Sequence, residues 1–100
     1  MAEIPEMLRP AVRAQLDALV RGELPEMLLW VHQYGDGGAV LVVQPDEIWN
    51  HPWSDVLQRI DGSWSVVVPL WTEDEAPSDL SAELSVDASG TATLDDVHVL

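Results

Sequence analysis

The chain has no cysteine, no lysine and no phenylalanine, and the whole stretch from Ile60 to Leu100 is without a lysine or an arginine. Lacking cysteine, it can form no disulfide, thiolate metal site or thiol nucleophile, and its core must hold by packing alone, as suits a cytoplasmic protein. Its only permanent side-chain cations are Arg9, Arg13, Arg21 and Arg59. The opening MAEIPEMLRP carries acids where a signal peptide needs a basic region, and no apolar run approaches the ~20 residues of a membrane span. A soluble cytoplasmic protein with no membrane contact is expected.

Acidic residues are abundant by contrast. Asp61, Glu73, Asp74, Glu75, Asp79, Glu83, Asp87, Asp95 and Asp96 all fall in the lysine- and arginine-free stretch, and the formal net charge is -14. A field of that sign repels nucleic acid and anionic lipid and attracts cations or basic protein surfaces. Hydrophobic residues make up 47% of the chain, too many for a disordered polyanion. A length of 100 residues suits one domain, residues 1–100, with one modest core.

Val12, Leu16, Leu19 and Val20 recur at helical spacing after Pro10, which predicts a first helix from about Pro5 or Arg9 to Arg21, stopped at Gly22. Pro25 and Glu26 open a second helical stretch through Met27, Leu28, Trp30, Val31 and Tyr34, ended by Gly35. Ala39 to Val43 is short, apolar and β-branched, which reads as a buried strand ended by Pro45. Val56 to Ile60 and Trp64 to Val68 flank Asp61-Gly62, a dipeptide suited to a hairpin in which both residues have positive φ. Leu80, Ala82, Leu84 and Val86 alternate with Ser81, Glu83, Ser85 and Asp87, the pattern of a strand with one wet face. After Ser89-Gly90 the chain returns as Thr91 to Leu94 and Val97 to Leu100, with a bulge at Asp95-Asp96 and with His98 on the wet or cross-strand side. The class is α+β: two N-terminal helices packed on one face of an antiparallel sheet of about four to five strands.

Binding residues concentrate in irregular segments. One such segment, Gln44 to Asp55, holds Trp49, Asn50, His51 and Trp53. The indoles either line a site or plug the end of the sheet in place of the missing phenylalanines. Our expectation is one of each, Trp53 buried and Trp49 at least partly exposed beside His51. Asp46, Glu47 and His51, joined by His32 or His98, would be the donors of a metal site, but the spacing matches no metal motif, and neither metal nor cofactor is expected. The other segment follows Trp71: Glu73, Asp74, Glu75 and Asp79 form an acidic loop that is either solvated or an electrostatic contact for arginines and lysines. No nucleophile elbow, phosphate-binding glycine loop or triad order is present, and no catalytic residue is assigned.

Trp64 to Leu84, reading WSVVVPLWTEDEAPSDLSAEL, resembles a family of small, uncharacterised bacterial proteins that share a W-x-V-x-x-PLWT-x-E-E stretch followed by SDL. The closing Leu94-Asp95-Asp96-Val97-His98-Val99 is similar to that family's end, and the helical opening with Tyr34-Gly35 is compatible with it. Where such relatives tend to have a glycine and a basic residue before SDL, this chain has Ala76-Pro77. The resemblance implies a domain of unknown function and no particular chemistry.

Taken together, size and charge favour a non-enzymatic acidic protein that occupies a basic surface of a protein partner, as an immunity protein or antitoxin does. Trp49, His51, Trp53, Trp71, Glu73, Asp74, Glu75 and Asp79 are the candidate contacts. The alternative is a small-ligand-binding or accessory domain, or a homodimer, with a pocket near His51. An enzyme using His51 and carboxylates stands third.

Overall fold

The computed structural model describes residues 3–99. A 3-10 turn, Glu6–Leu8, leads into helix α1, Arg9–Val20, with Pro10 in the first turn where its missing N–H costs nothing. Leu8, Val12, Leu16 and Leu19 form the buried stripe of this segment. At its C-terminus the Glu23 N–H donates to the Ala18 carbonyl and the Gly22 N–H to Leu19, the paired bonds that close a helix end.

The second helical stretch is shorter than its periodicity predicts. It consists of a 3-10 turn, Pro25–Met27, and a single turn, α2, Leu29–His32, separated by Leu28 at φ -97 and ψ 4. Within α2 only Val31 is buried, while Leu29 and Trp30 face solvent. Short helices depend on burying an apolar face, and this one has too little to bury for a longer run.

Four strands make one antiparallel sheet in sequence order: β1 Asp55–Gln58, β2 Trp64–Pro69, β3 Leu80–Val86 and β4 Ala92–Val99. The helices pack on one face. Val66, Val68, Leu80, Ala82, Leu84, Val86, Leu94 and Val97 join Ile4, Val31, Ile48 and the α1 stripe in a single core. In β3 the expected alternation is met from Ala82 to Val86, but Ser81, placed on the wet face by the pattern, is buried. Leu84 pairs with Leu94 but Glu83 pairs with Asp96, so Asp95 is the extra residue of a bulge, as the doubled aspartates suggested. The expected end of this strand at Leu100 lies outside the described residues.

Both hairpin tips are three-residue loops. In the first, the Arg59 N–H donates to Ser63 and the Gly62 N–H to Arg59; in the second, Asp87 donates to Thr91 and Gly90 to Asp87. Only the glycines, Gly62 at φ 88 and Gly90 at φ 94, are left-handed. The expectation of positive φ at Asp61 as well is therefore corrected: a third loop residue lets a type I turn and a bulging glycine close the hairpin, and Asp61 keeps an ordinary conformation. The two tips lie side by side, with a Cβ on Gly62 falling 3.5 Å from that of Ala88.

Ala39 to Val43 is not a strand of the sheet, and Val40 and Val43 are exposed. The segment touches β structure through one bridge, Leu41 to Thr72, with bonds from Val42 N to Trp71 O and from Glu73 N to Val40 O. It runs alongside the chain leaving β2, so the sheet ends at four strands.

Candidate functional site

The tryptophan-containing segment folds as a 3-10 turn, Asp46–Trp49, followed by an irregular approach to β1. Its two indoles are placed the opposite way from the expectation. Trp49 is 7% exposed and Trp53 is 51% exposed. Trp49 is covered by α1, with the Arg13 guanidinium 5.1 Å and that of Arg9 5.7 Å from its ring centre. Arg13 also donates to the Gln44 carbonyl and, at 2.7 Å, to Asp46, while Arg9 donates to the Ile4 carbonyl and to Glu3. Two cations from one helix therefore hold this turn, so that two of the four arginines of an acidic chain, Arg9 and Arg13, serve as internal clamps. Spacing could not reveal this, because the 3-10 turn ends at Trp49 and Trp53 lies beyond it in the irregular approach to β1.

His51, Trp53 and Trp71 form an aromatic row. The imidazole lies edge-on to both indoles, with ring centres 5.2 and 5.4 Å apart. Its Nδ1 accepts the backbone N–H of Trp53. Trp71 is buried and Trp53 is the solvent end of the row. The clefts beside Gln58–Asp61 and between α1 and Trp49 are formed by other residues.

Glu73, Asp74, Glu75 and Asp79 of the acidic loop are all exposed, and the Glu75 carboxylate and the Asp79 backbone are tied to the helical half of the molecule. The Tyr34 hydroxyl donates to Glu75 at 2.7 Å and accepts the Asp79 N–H at 3.1 Å. The bond to the Glu75 carboxylate, ahead of any other influence, pushes the Tyr34 phenol above its ordinary value. Thr72 completes the loop, accepting the Glu75 N–H at its side-chain oxygen and donating its own N–H to the Glu75 carbonyl.

A further group of donors lies on the sheet face away from the helices. Glu83 and Asp96 are directly opposite one another on β3 and β4, and His98, two residues beyond Asp96, is on the same side. A ring nitrogen of His98 and one oxygen of each carboxylate lie within 4.8 Å of one another. The His98 Nδ1 is 3.3 Å from Glu83 Oε2 and 3.3 Å from Asp96 Oδ2. That nitrogen is inaccessible to solvent and makes no hydrogen bond, although the side chain as a whole is 27% exposed. The bulge arranges this group. Asp95 is taken up by the Ser85 hydroxyl at 2.5 Å, the Leu94 N–H is met by Gln15 from α1, and Asp96 is returned to the face it shares with Glu83 and His98.

Among the described residues, the donors brought together are thus Glu83, Asp96 and His98, not Asp46, Glu47 and His51. Asp46 is committed to Arg13 and His51 to the tryptophans. The alternation of β3 and the i, i+2 spacing of Asp96 and His98 were signals for the observed group. What linked them, the register across the hairpin, is set by a bulge whose exact position sequence leaves open.

Residues 9–100 match the family model described as "Domain of unknown function (DUF7668)". The chain belongs to that family, and the match takes in α1, the whole sheet and all three donors. Searches of curated proteins and of solved structures gave no match.

Proposed function

We propose that this chain is a small-ligand-binding domain that holds a cationic group on the open face of its sheet, between Glu83, Asp96 and His98. The observation that supports this most is the His98 Nδ1, a buried ring nitrogen without a hydrogen bond, facing two carboxylates. A buried polar atom left unmet costs about 1–3 kcal/mol, and close carboxylates repel. A bound cation relieves both. The net charge of -14 raises the local concentration of such a ligand, and the strands fix the donors more rigidly than a loop would. The test is a titration of the isotope-labelled full chain with methylammonium and with divalent cations, followed by amide chemical shifts. Saturable shifts confined to β3 and β4 are expected; gradual shifts spread evenly over the exposed carboxylates would overturn the reading.

A second reading, occupation of a basic surface on a protein partner, is favoured by one observation. Trp53 presents a half-exposed indole on a rigid aromatic row whose far end, Trp71, leads into exposed Glu73 and Asp74. An aromatic anchor beside a field of one sign suits a cationic partner. Quenching of Trp53 fluorescence by an oligo-arginine peptide at about 150 mM salt, lost in Trp53→Ala, would support it; equal binding by that variant would remove its anchor.

A further inference from the structure

We infer that the cationic group at Glu83, Asp96 and His98 is a divalent transition-metal ion of the zinc class, with the imidazole as a direct ligand. This deepens the binding reading above and rests on it. Spacing is the first reason. A charge-assisted hydrogen bond from an imidazolium to a carboxylate has a length of about 2.7–2.9 Å. Both His98 Nδ1 contacts are 3.3 Å and neither has hydrogen-bond geometry. In a tetrahedral site with bonds of about 2.0–2.2 Å, neighbouring ligand atoms stand about 3.3–3.6 Å apart, so the two contacts have the length of the shorter tetrahedron edges.

Donor chemistry is the second reason. Calcium and magnesium take shells of oxygen, whereas a neutral imidazole nitrogen is a preferred ligand of zinc, nickel and copper. One imidazole and two carboxylates also balance a doubly charged ion without leaving net charge in the site.

The fold supplies the third reason. Glu83 and Asp96 face each other across a ladder, and His98 follows on the same strand, so the three side chains start from positions fixed by the sheet. The cross-strand neighbour of His98, Ser81, is buried, which leaves approach from the side of the half-exposed Glu83 and exposed Asp96. Three protein ligands then leave one tetrahedral position open for water or a donor group from another molecule.

The experiment is calorimetric titration of the full chain with zinc, calcium, magnesium and methylammonium at about 150 mM salt, repeated on His98→Gln. One zinc ion per chain is expected, with the other three binding about tenfold or more weaker and with His98→Gln losing about tenfold or more in zinc affinity at unchanged circular dichroism. In the unaltered chain, zinc should shift the nitrogen resonances of the His98 ring, a readout that stands even if the variant fails to fold. Calcium binding as tightly as zinc, or a His98 ring unmoved by bound zinc, overturns the metal inference. Saturable methylammonium binding at β3 and β4 without zinc binding overturns it while leaving the broader reading intact, and no binding there by any of the four overturns both.

Discussion

Gln44 holds both backbone groups of Trp71: its side-chain oxygen accepts the Trp71 N–H at 2.7 Å, and its amide nitrogen donates to the Trp71 carbonyl at 3.0 Å. The same nitrogen donates to Val42, and the residue is only 2% exposed. A side chain thereby stands in for one rung of a β-ladder, reinforces the Val42-to-Trp71 rung beside it, and joins the segment before the 3-10 turn to the chain leaving β2. Gln44→Ala should strand the buried Trp71 N–H, while the Trp71 carbonyl keeps the Val42 N–H, and should lower stability by about 1–3 kcal/mol, the cost of one unmet group. Urea unfolding checks this. A loss under about 1 kcal/mol would mean that water substitutes for the amide.

Trp49 and Trp53 should respond to truncation in opposite ways. Trp49→Ala removes an indole packed beneath two guanidiniums and should cost about 3–5 kcal/mol. Trp53→Ala should stay folded, and it should remove the fraction of indole emission most accessible to acrylamide. Comparable destabilisation by both would contradict the observed burial.

The tip of the second hairpin carries a pH dependence. Hydrogen bonds from the Ser89 hydroxyl, and then from backbone N–H groups at Thr91 and Ser89, hold the Asp87 carboxyl below its ordinary value; Asp61 is lowered in the same way by Ser63. A depressed carboxylate contributes stability that is present above the usual range near pH 3.9 and is lost as pH falls through the lowered value. Asp87→Asn should therefore flatten the acid limb of a plot of thermal midpoint against pH. An unchanged acid limb would remove Asp87 as its source.

Tyr34 and Glu75 give the complementary alkaline effect. Because the phenol is raised, its contribution is complete below about pH 10 and disappears as pH rises through the folded value. Glu75→Gln should bring the Tyr34 titration, followed by ultraviolet absorbance, back towards the ordinary range and lower stability. Glu73→Gln and Asp74→Asn should leave stability unchanged or slightly higher by easing repulsion. Equal effects at all three positions would show that the loop acts only as diffuse charge.

Much of the architecture was legible because it depends on local patterns. The α1 stripe, the alternation of β3 and the glycine turns each follow from a few neighbouring residues. Ala39 to Val43 differs from its expected strand because β-branched apolar residues report a preference for extended backbone and not membership of a sheet, and the segment forms only the single bridge at Leu41. The order of burial at Trp49 and Trp53 depended on arginines more than thirty positions away in sequence. The donor group on β3 and β4 was hidden for a related reason: its members acquire a common face only once the bulge fixes the register.

The central claim, that Glu83 belongs to a cation site and is not one more surface charge, is tested most directly by comparing Glu83→Gln with Glu73→Gln. Each removes one negative charge from the same chain, so any general attraction for cations falls equally. Zinc affinity measured at about 150 mM salt should drop by about tenfold or more in Glu83→Gln and stay within about twofold of the unaltered chain in Glu73→Gln. Equal, small losses in the two variants would contradict the account.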